Sequence, residues 1–270
     1  FNDDGSLEVN PDFLKANANY YDAAAYLAPF NGKTLTDINN WVSEKTDGMI
    51  GNDLDQLDPN MAFCLINAMA FDAKWETKYD SKDVNEDEFY AFDGTEQNVE
   101  MMSSEEEYYL DDGKAIGFIK NYKNRKYSFA ALLPNKGVSI DDYIASLTGY
   151  GLLTTLENAE ECSVEAKMPK FTGDYSVKMN DALKALGMPT AFDSKKADFS
   201  KLSVSKTRNM YLSEVLQKTH IEVDENGTKV VTITFDFLPT TGITSYDHTV
   251  ILDRPFVYAI VDNATNLPIF

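Results

Sequence analysis

Few side chains in this sequence stand where they could do chemistry. His220 and His248 are its two histidines, and neither neighbours a serine, a cysteine or another metal ligand at a catalytic or chelating spacing. Cys64 and Cys162 are its two cysteines; both lie in apolar, strand-like contexts, so they read as buried free thiols or at most one disulfide, and no CxxC or Cys/His spacing suggests zinc. GxSxG, P-loop, GxGxxG and HExxH patterns are all missing. The acidic stretch "NDLDQLDPN" (52–60) lacks the central Gly and closing Glu of a calcium loop and reads as a solvated loop. Glu105-Glu106-Glu107 likewise reads as a solvated strand end or turn. No metal or other cofactor is expected. One segment is unusual for a different reason. "VDENGTKVVTITFDFLPTTGIT" (223–244) passes from an acidic turn through β-branched and aromatic residues into a Pro-Thr-Thr-Gly loop. It could be a strand, or a loop that becomes one.

The elements that must position such a segment follow from periodicity. Two helices open the chain. One starts at Asn10 or Pro11 and carries Leu14, Ala18 and Tyr21 at helical spacing. The other lies within "GKTLTDINNWVSEKTDGMI", with Thr36 as a cap, Gly48 as a stop, and Leu35, Ile38, Trp41 and Val42 as its apolar stripe. "AFCLINAMAFDAKW" (62–75) is nearly all apolar, as a strand buried on both faces would be. Short strands follow in "DEFYAFDG", "NVEMMSSEEEYYLDD", "KAIGFIKNY" and "KYSFAALLPNKG". "SIDDYIASLT", capped by Ser139, and "YSVKMNDALKALGM", stopped by Gly187, read as helices. Strands return in "MYLSEVLQKTHIEVDE" and "RPFVYAIVDN". The order is that of an α+β fold, without the regular alternation of a parallel α/β sheet.

At 270 residues and 43% hydrophobic, the chain can bury a large core without disulfides or metal. A net charge of -20 argues against nucleic acid and anionic membrane surfaces as partners. The chain begins "FNDDGSLEVNPDF" and stops within the apolar "NATNLPIF", so both ends look cut.

Five stretches, in order, resemble one family. "LINAMAFDAKWETKYD" is similar to the serpin strand in which Asn-Ala precedes Phe, Lys and Trp. "VEMMSSEEEYYLDD" is similar to the Pro-Met-Met strand, with Glu100 in place of Pro. "MPKFTGDYSVKMNDALKALGM" resembles the Pro-Lys-Phe segment, "LSEVLQKTHIEVDENGT" the strand and hinge before the reactive-centre loop, and "DRPFVYAIVDNATNLPIF" the closing strand pair. The resemblance, to serpins of the bacterial type, covers residues 1–270 as one partial domain, with the reactive-centre loop region at 225–250. It implies a large central mixed or antiparallel sheet with smaller sheets and packed helices, lacking the family's N-terminal helices. It also implies a serine-protease inhibitor that is not itself an enzyme. The protease cleaves an exposed loop and forms an acyl-enzyme, and the loop inserts into the central sheet, trapping the protease. The protein would be a monomer, extracellular or at the cell surface, whose partner is the target protease.

Roles carry over residue by residue. Glu225, Gly227 and Thr228 match the hinge. Lys170 matches the partner of the hinge Glu, and Trp75 the tryptophan beneath the top of the opening sheet. Asn67 matches a polar residue where the sheet parts, and Gln217 stands where the family often has His. Counting forward from Glu225 puts the reactive bond at Thr241-Gly242, and counting back from Pro255 puts it near Thr244. Ile243 and Thr244 are the alternates. All are small or aliphatic, which suits an elastase-like or subtilisin-like protease. Against fast insertion stand the stiff Val230, Val231 and Ile233 and an Asp236 that alternation turns inward, so a non-inhibitory serpin is the alternative.

Overall fold

A computed structural model describes the chain except residues 6, 52, 53, 55, 58–62, 67–70, 204–209, 213, 214 and 229–244. The elements run α1 (Pro11–Tyr21), α2 (Gly32–Lys45), β1 (Ala73–Lys74), β2 (Val84–Tyr90), β3 (Glu96–Asp111), β4 (Ala115–Asn121) and β5 (Tyr127–Pro134). After these come α3 (Ile140–Ser146), α4 (Gly149–Glu157), β6 (Glu160–Pro169), β7 (Phe171–Lys178) and α5 (Asn180–Ala185). Strands β8 (Leu216–Val223), β9 (Gly227–Thr228), β10 (His248–Ile251), β11 (Val257–Asp262) and β12 (Leu267–Pro268) close the chain. No helix among the described residues is long and apolar enough to cross a membrane. The chain divides into two compact units, Phe1–Ala70 with Gly173–His220, and Phe71–Thr172 with Ile221–Phe270.

In the first unit, α1 begins where Asn10 accepts from the Asp12 amide and Pro11 presets the first turn. It stops at Asp22, in the left-handed region at φ 49°. The cap of α2 is Asn31, whose side chain accepts from the Lys33 and Thr34 amides at 3.0 and 3.1 Å. Thr36 lies a turn further in and donates back to the Gly32 carbonyl. An asparagine that reaches two orphan amides outcompetes a threonine already inside the helix. The predicted helix from Tyr175 begins only at Asn180, because Phe171–Lys178 form a strand. Aromatic and β-branched residues at Phe171, Tyr175 and Val177 favour that choice.

The second unit is built on an eight-stranded sheet in the order β10-β6-β3-β4-β5-β11-β12, with β2 also paired to β3. Strand β5 explains how it holds together. Phe129, Ala131 and Leu133 enter one apolar cluster, while Ala130 and Leu132 enter another with Tyr143 of α3 and Leu156 of α4. A period-two strand apolar on both faces thus joins two layers. Ser139 caps α3 by accepting from the Asp142 amide.

Two expectations change. The run 62–75 is strand only at Ala73–Lys74 among the described residues, and Leu65 is 79% exposed. An apolar run becomes a buried strand only where neighbours take up its backbone groups, and Ala73–Lys74 has such a neighbour in β9. Cys64 and Cys162 are free and half-buried, not fully buried.

Candidate functional site

Strands β1, β9, β8 and β7 form a second, four-stranded sheet in that order. Val223 of β8 pairs with Thr228 of β9, and residues 224–226 make the connecting turn. Asp224 holds it closed. Its Oδ1 accepts from the amides of Asn226 at 2.7 Å and Gly227 at 3.1 Å, while its own amide donates to the Gly227 carbonyl. Lys74 of β1 pairs with Gly227, and Ala73 with Thr228. A Cβ on Gly227 would stand 2.2 Å from the Ala73 carbonyl oxygen and 2.8 Å from Lys74 Cα. Both are backbone atoms, so close approach, more than freedom to swing, demands glycine here.

Thr228 is 2% exposed, and its hydroxyl lies 2.6 Å from the Tyr122 hydroxyl. Trp75 is 1% exposed. Its indole stacks on Tyr122 at 4.5 Å and meets Phe129 edge-on. Its Nε1 donates to the Asp224 carbonyl at 2.8 Å, and its amide donates to the Asn226 carbonyl at 2.9 Å. The turn therefore rests on an aromatic platform that reads its backbone. Burial pushes the Tyr122 phenol up, outweighing the opposing hydrogen bond to Thr228, and keeps it protonated.

Lys170 lies between two carboxylates, with Nζ 2.9 Å from Glu225 and 3.1 Å from Glu100. Burial pulls its ammonium down, but the hydrogen bonds from Glu225 and Glu100 outweigh it and hold the pKa above the ordinary lysine value. The same bond from Lys170, against partial burial, keeps Glu225 below the ordinary carboxylate range. A folded-state pKa that is depressed stabilises the fold above the unfolded carboxylate pKa, and that contribution disappears as pH falls through the depressed value. The pair is partly solvated, so Glu225→Gln should cost about 0–1 kcal/mol at neutral pH and less in acid. Urea melts of the two proteins at neutral and acid pH measure this; a cost that grows in acid would contradict the assignment.

Below this platform lies a buried ion pair. Lys120 Nζ is 2.7 Å from Glu106, with side chains 2% and 9% exposed. The ammonium faces the Tyr79 ring at 4.3 Å and the Trp75 ring at 5.5 Å. Ser104 donates to the same Glu106 oxygen at 2.6 Å. The Glu105-Glu106-Glu107 run is therefore not uniformly solvated. Alternation along β3 turns Glu106 inward, while Glu105 and Glu107 are exposed and meet Ser163 and Arg125.

The structure thus brings Trp75, Lys170, Glu225, Gly227 and Thr228 together around one turn. Gln217 is exposed on β8. Asn67 and the bond candidates Thr241, Gly242, Ile243 and Thr244 lie outside the described residues. Sequence reasoning missed Tyr122, Glu100, Asp224 and the Lys120–Glu106 pair. Asp224 could have been found from Asp-Glu-Asn-Gly turn chemistry, and Glu100 from its replacement of a usual proline. Tyr122 meets Thr228 across 106 residues, with no local signal.

The family model for serpins (serine protease inhibitors) matches residues 2–270. Serpin B10 of Sorex araneus is 32% identical over 249 residues, covering 87% of this chain and 60% of the relative. Human serpin B3 is 28% identical, with coverages of 96% and 68%. The chain spans about 60% of the length of the serpin B10 relatives it matches over most of its own length. Among solved structures, the native state of the thermophilic serpin tengpin is 47% identical with a TM-score of 0.91, covering 97% of this chain and 68% of that one. Its latent state superposes less closely, at a TM-score of 0.81 and 44% identity, covering 97% of this chain and 70% of that one. With a family match from residue 2 to residue 270, this chain belongs to the serpin family.

Proposed function

We propose that the protein is a suicide-substrate inhibitor of serine proteases with a small or apolar specificity pocket, elastase-like or subtilisin-like. The observation that carries this reading is the position of β9. Gly227 and Thr228 already lie between β1 and β8, antiparallel to both. On this reading they are the first rung of a strand that residues from 229 onward would extend once the chain is cleaved.

The protease serine attacks a bond at Thr241-Gly242, or at Ile243 or Thr244, and forms an acyl-enzyme through its own catalytic groups; the inhibitor supplies none. The freed loop then extends β9 along the existing ladder. In the register that pairs Thr228 with Val223 and Ala73, Val230 comes opposite Ile221 and Phe71. Thr228, Val223 and Ile221 are all buried, so Val230 enters on the core face, where an apolar side chain is welcome. The same register brings Thr234 alongside Gln217, which can both donate and accept. Asp236 follows on the same face, beyond the exposed Gln217, and if insertion buries it, an unpaired carboxylate there costs several kcal/mol. That conflict favours a second reading, a serpin that is cleaved without trapping.

Incubating the full-length protein with elastase-like and subtilisin-like proteases, followed by a denaturing gel, separates the two. Inhibition gives a covalent complex together with a sharply raised melting midpoint of the loop-cleaved protein. Simple cleavage by every protease, with an unchanged midpoint, overturns the proposal.

A further inference from the structure

Away from the hinge, three metal-ligating side chains converge on one face of the eight-stranded sheet. Glu160 and Cys162 lie two residues apart on β6, Tyr109 of β3 pairs with Glu160, and His248 of β10 pairs in parallel with Val164. The β3–β6 register shifts between Glu106 and Tyr108, so the interatomic distances, not strand alternation, place these side chains together. The ligand atoms of Glu160, Cys162 and His248 all lie within 4.8 Å of one another, and His248 Nε2 is 3.7 Å from the Glu160 carboxylate. The imidazole is stacked flat on Tyr109, with ring centroids 3.8 Å apart and planes 5° from parallel. Asp247 stands beside the group, accepting from the Ser163 amide at 3.0 Å and returning its own amide to the Ser163 carbonyl. The 86 residues separating Cys162 from His248 hide this cluster from any spacing rule.

We propose that Glu160, Cys162 and His248 bind a borderline divalent transition metal, of which Zn²⁺ fits best. Donor atoms around tetrahedral zinc, at bond lengths of about 2.0–2.3 Å, stand roughly 3.3–3.8 Å apart. The His248–Glu160 pair, at 3.7 Å, is a few tenths of an ångström wider than the roughly 3.3 Å of an N–O ligand pair, a gap that rotamer adjustment closes together with the rest. One thiolate, one imidazole and one carboxylate select zinc or cobalt over calcium and magnesium, which take oxygen ligands. Glu160 is well exposed, so an ion reaches the cluster from solvent and water completes its shell. Burial, then the charges of Glu160 and Asp247, push the Cys162 thiol up. Ligation therefore expels the thiol proton to solvent as the Sγ–metal bond forms. His248 opens β10, four residues after the undescribed 229–244, so the ion would clamp β10 to β6 at that point. The inference does not depend on protease inhibition.

Cobalt(II) titration of the full-length protein tests it, because the strongly acidic surface can attract any divalent cation but only thiolate ligation gives a thiolate-to-cobalt charge-transfer band. The band should saturate at one equivalent, yield to Zn²⁺ and persist in excess Ca²⁺ or Mg²⁺. It should vanish in Cys162→Ser, remain in Cys64→Ser, and need more than about tenfold more cobalt in His248→Gln. Zn²⁺ should raise the melting midpoint of the wild type but not of Cys162→Ser, whose metal-free melt confirms folding. Absence of the band, or its persistence in Cys162→Ser, overturns the site.

Discussion

Lys120→Met should destabilise the protein by about 3–5 kcal/mol at neutral pH, the usual cost of removing one member of a buried ion pair. The loss has three parts. Glu106, with its side chain 9% exposed, loses the ammonium 2.7 Å away and must either bear an unpaired buried charge or take up a proton. Ser104 remains as a neutral donor, which does not offset a buried carboxylate. The cation over the faces of Tyr79 and Trp75 also disappears, and with it an attraction of order 1 kcal/mol. The pH dependence follows from Glu106. Burial already pushes its carboxyl up despite Lys120, and without Lys120 it rises further. A group whose folded pKa is raised contributes stability that is present below the unfolded pKa and lost as pH rises through the folded value. The deficit of the variant against the wild type should therefore be smallest in acid and grow toward neutrality. Adding Glu106→Leu removes the orphaned charge and should recover much of the loss. Urea melts of the three proteins across this range check it. A neutral-pH loss under about 1 kcal/mol would mean that the pair is solvated and contributes like a surface ion pair.

The legibility of this molecule in its sequence divides along physical lines. Features set by a few adjacent residues were readable. Ser139 as the cap of α3, the apolar run of β5, and the acidic turn before Thr228 are local chemistry. Errors came where two local preferences competed, as with Asn31 over Thr36 at one helix start and strand over helix at 175–178. They also came where burial depended on distant partners. The run 62–75 is as apolar as β5, yet only Ala73–Lys74 is strand among its described residues, and Leu65 is largely exposed. Composition states that a segment can be buried; the neighbouring strand decides whether it is. Glu106 shows the converse. Three consecutive glutamates look solvated until alternation along β3 turns the middle one toward a lysine 14 residues away. The Tyr122–Thr228 contact and the Glu160–Cys162–His248 cluster belong to the same class, because strand pairing creates them and no short motif encodes pairing.

Thr228→Arg should reduce the ratio of trapped to simply cleaved protease by about a hundredfold, provided that trapping proceeds by extension of β9. Thr228 is the last described residue before 229–244, and its side chain is sealed beneath the sheet at 2% exposure against Tyr122. Val223, its cross-strand neighbour, is 1% exposed, and Trp75 and Phe129 complete the same cluster. An arginine cannot enter this space. Its guanidinium would lose its hydration, and the buried carboxylate beside this platform, Glu106, is already taken by Lys120, so the cost is several kcal/mol. The cheaper arrangement withdraws β9 from between β1 and β8 and leaves the hinge in solvent. Insertion must then begin by burying that charge. If about 3 kcal/mol of the cost appears in the insertion barrier, the insertion rate falls roughly a hundredfold. Deacylation by the protease is untouched, so the acyl-enzyme hydrolyses before the loop can enter. Thr228→Ser keeps a hydroxyl for Tyr122 and should trap nearly as well as the wild type, which separates the effect of charge from the effect of substitution. Denaturing gels of both variants with the same protease give the ratio directly. Equal trapping by Thr228→Arg would show that the loop does not enter along β9.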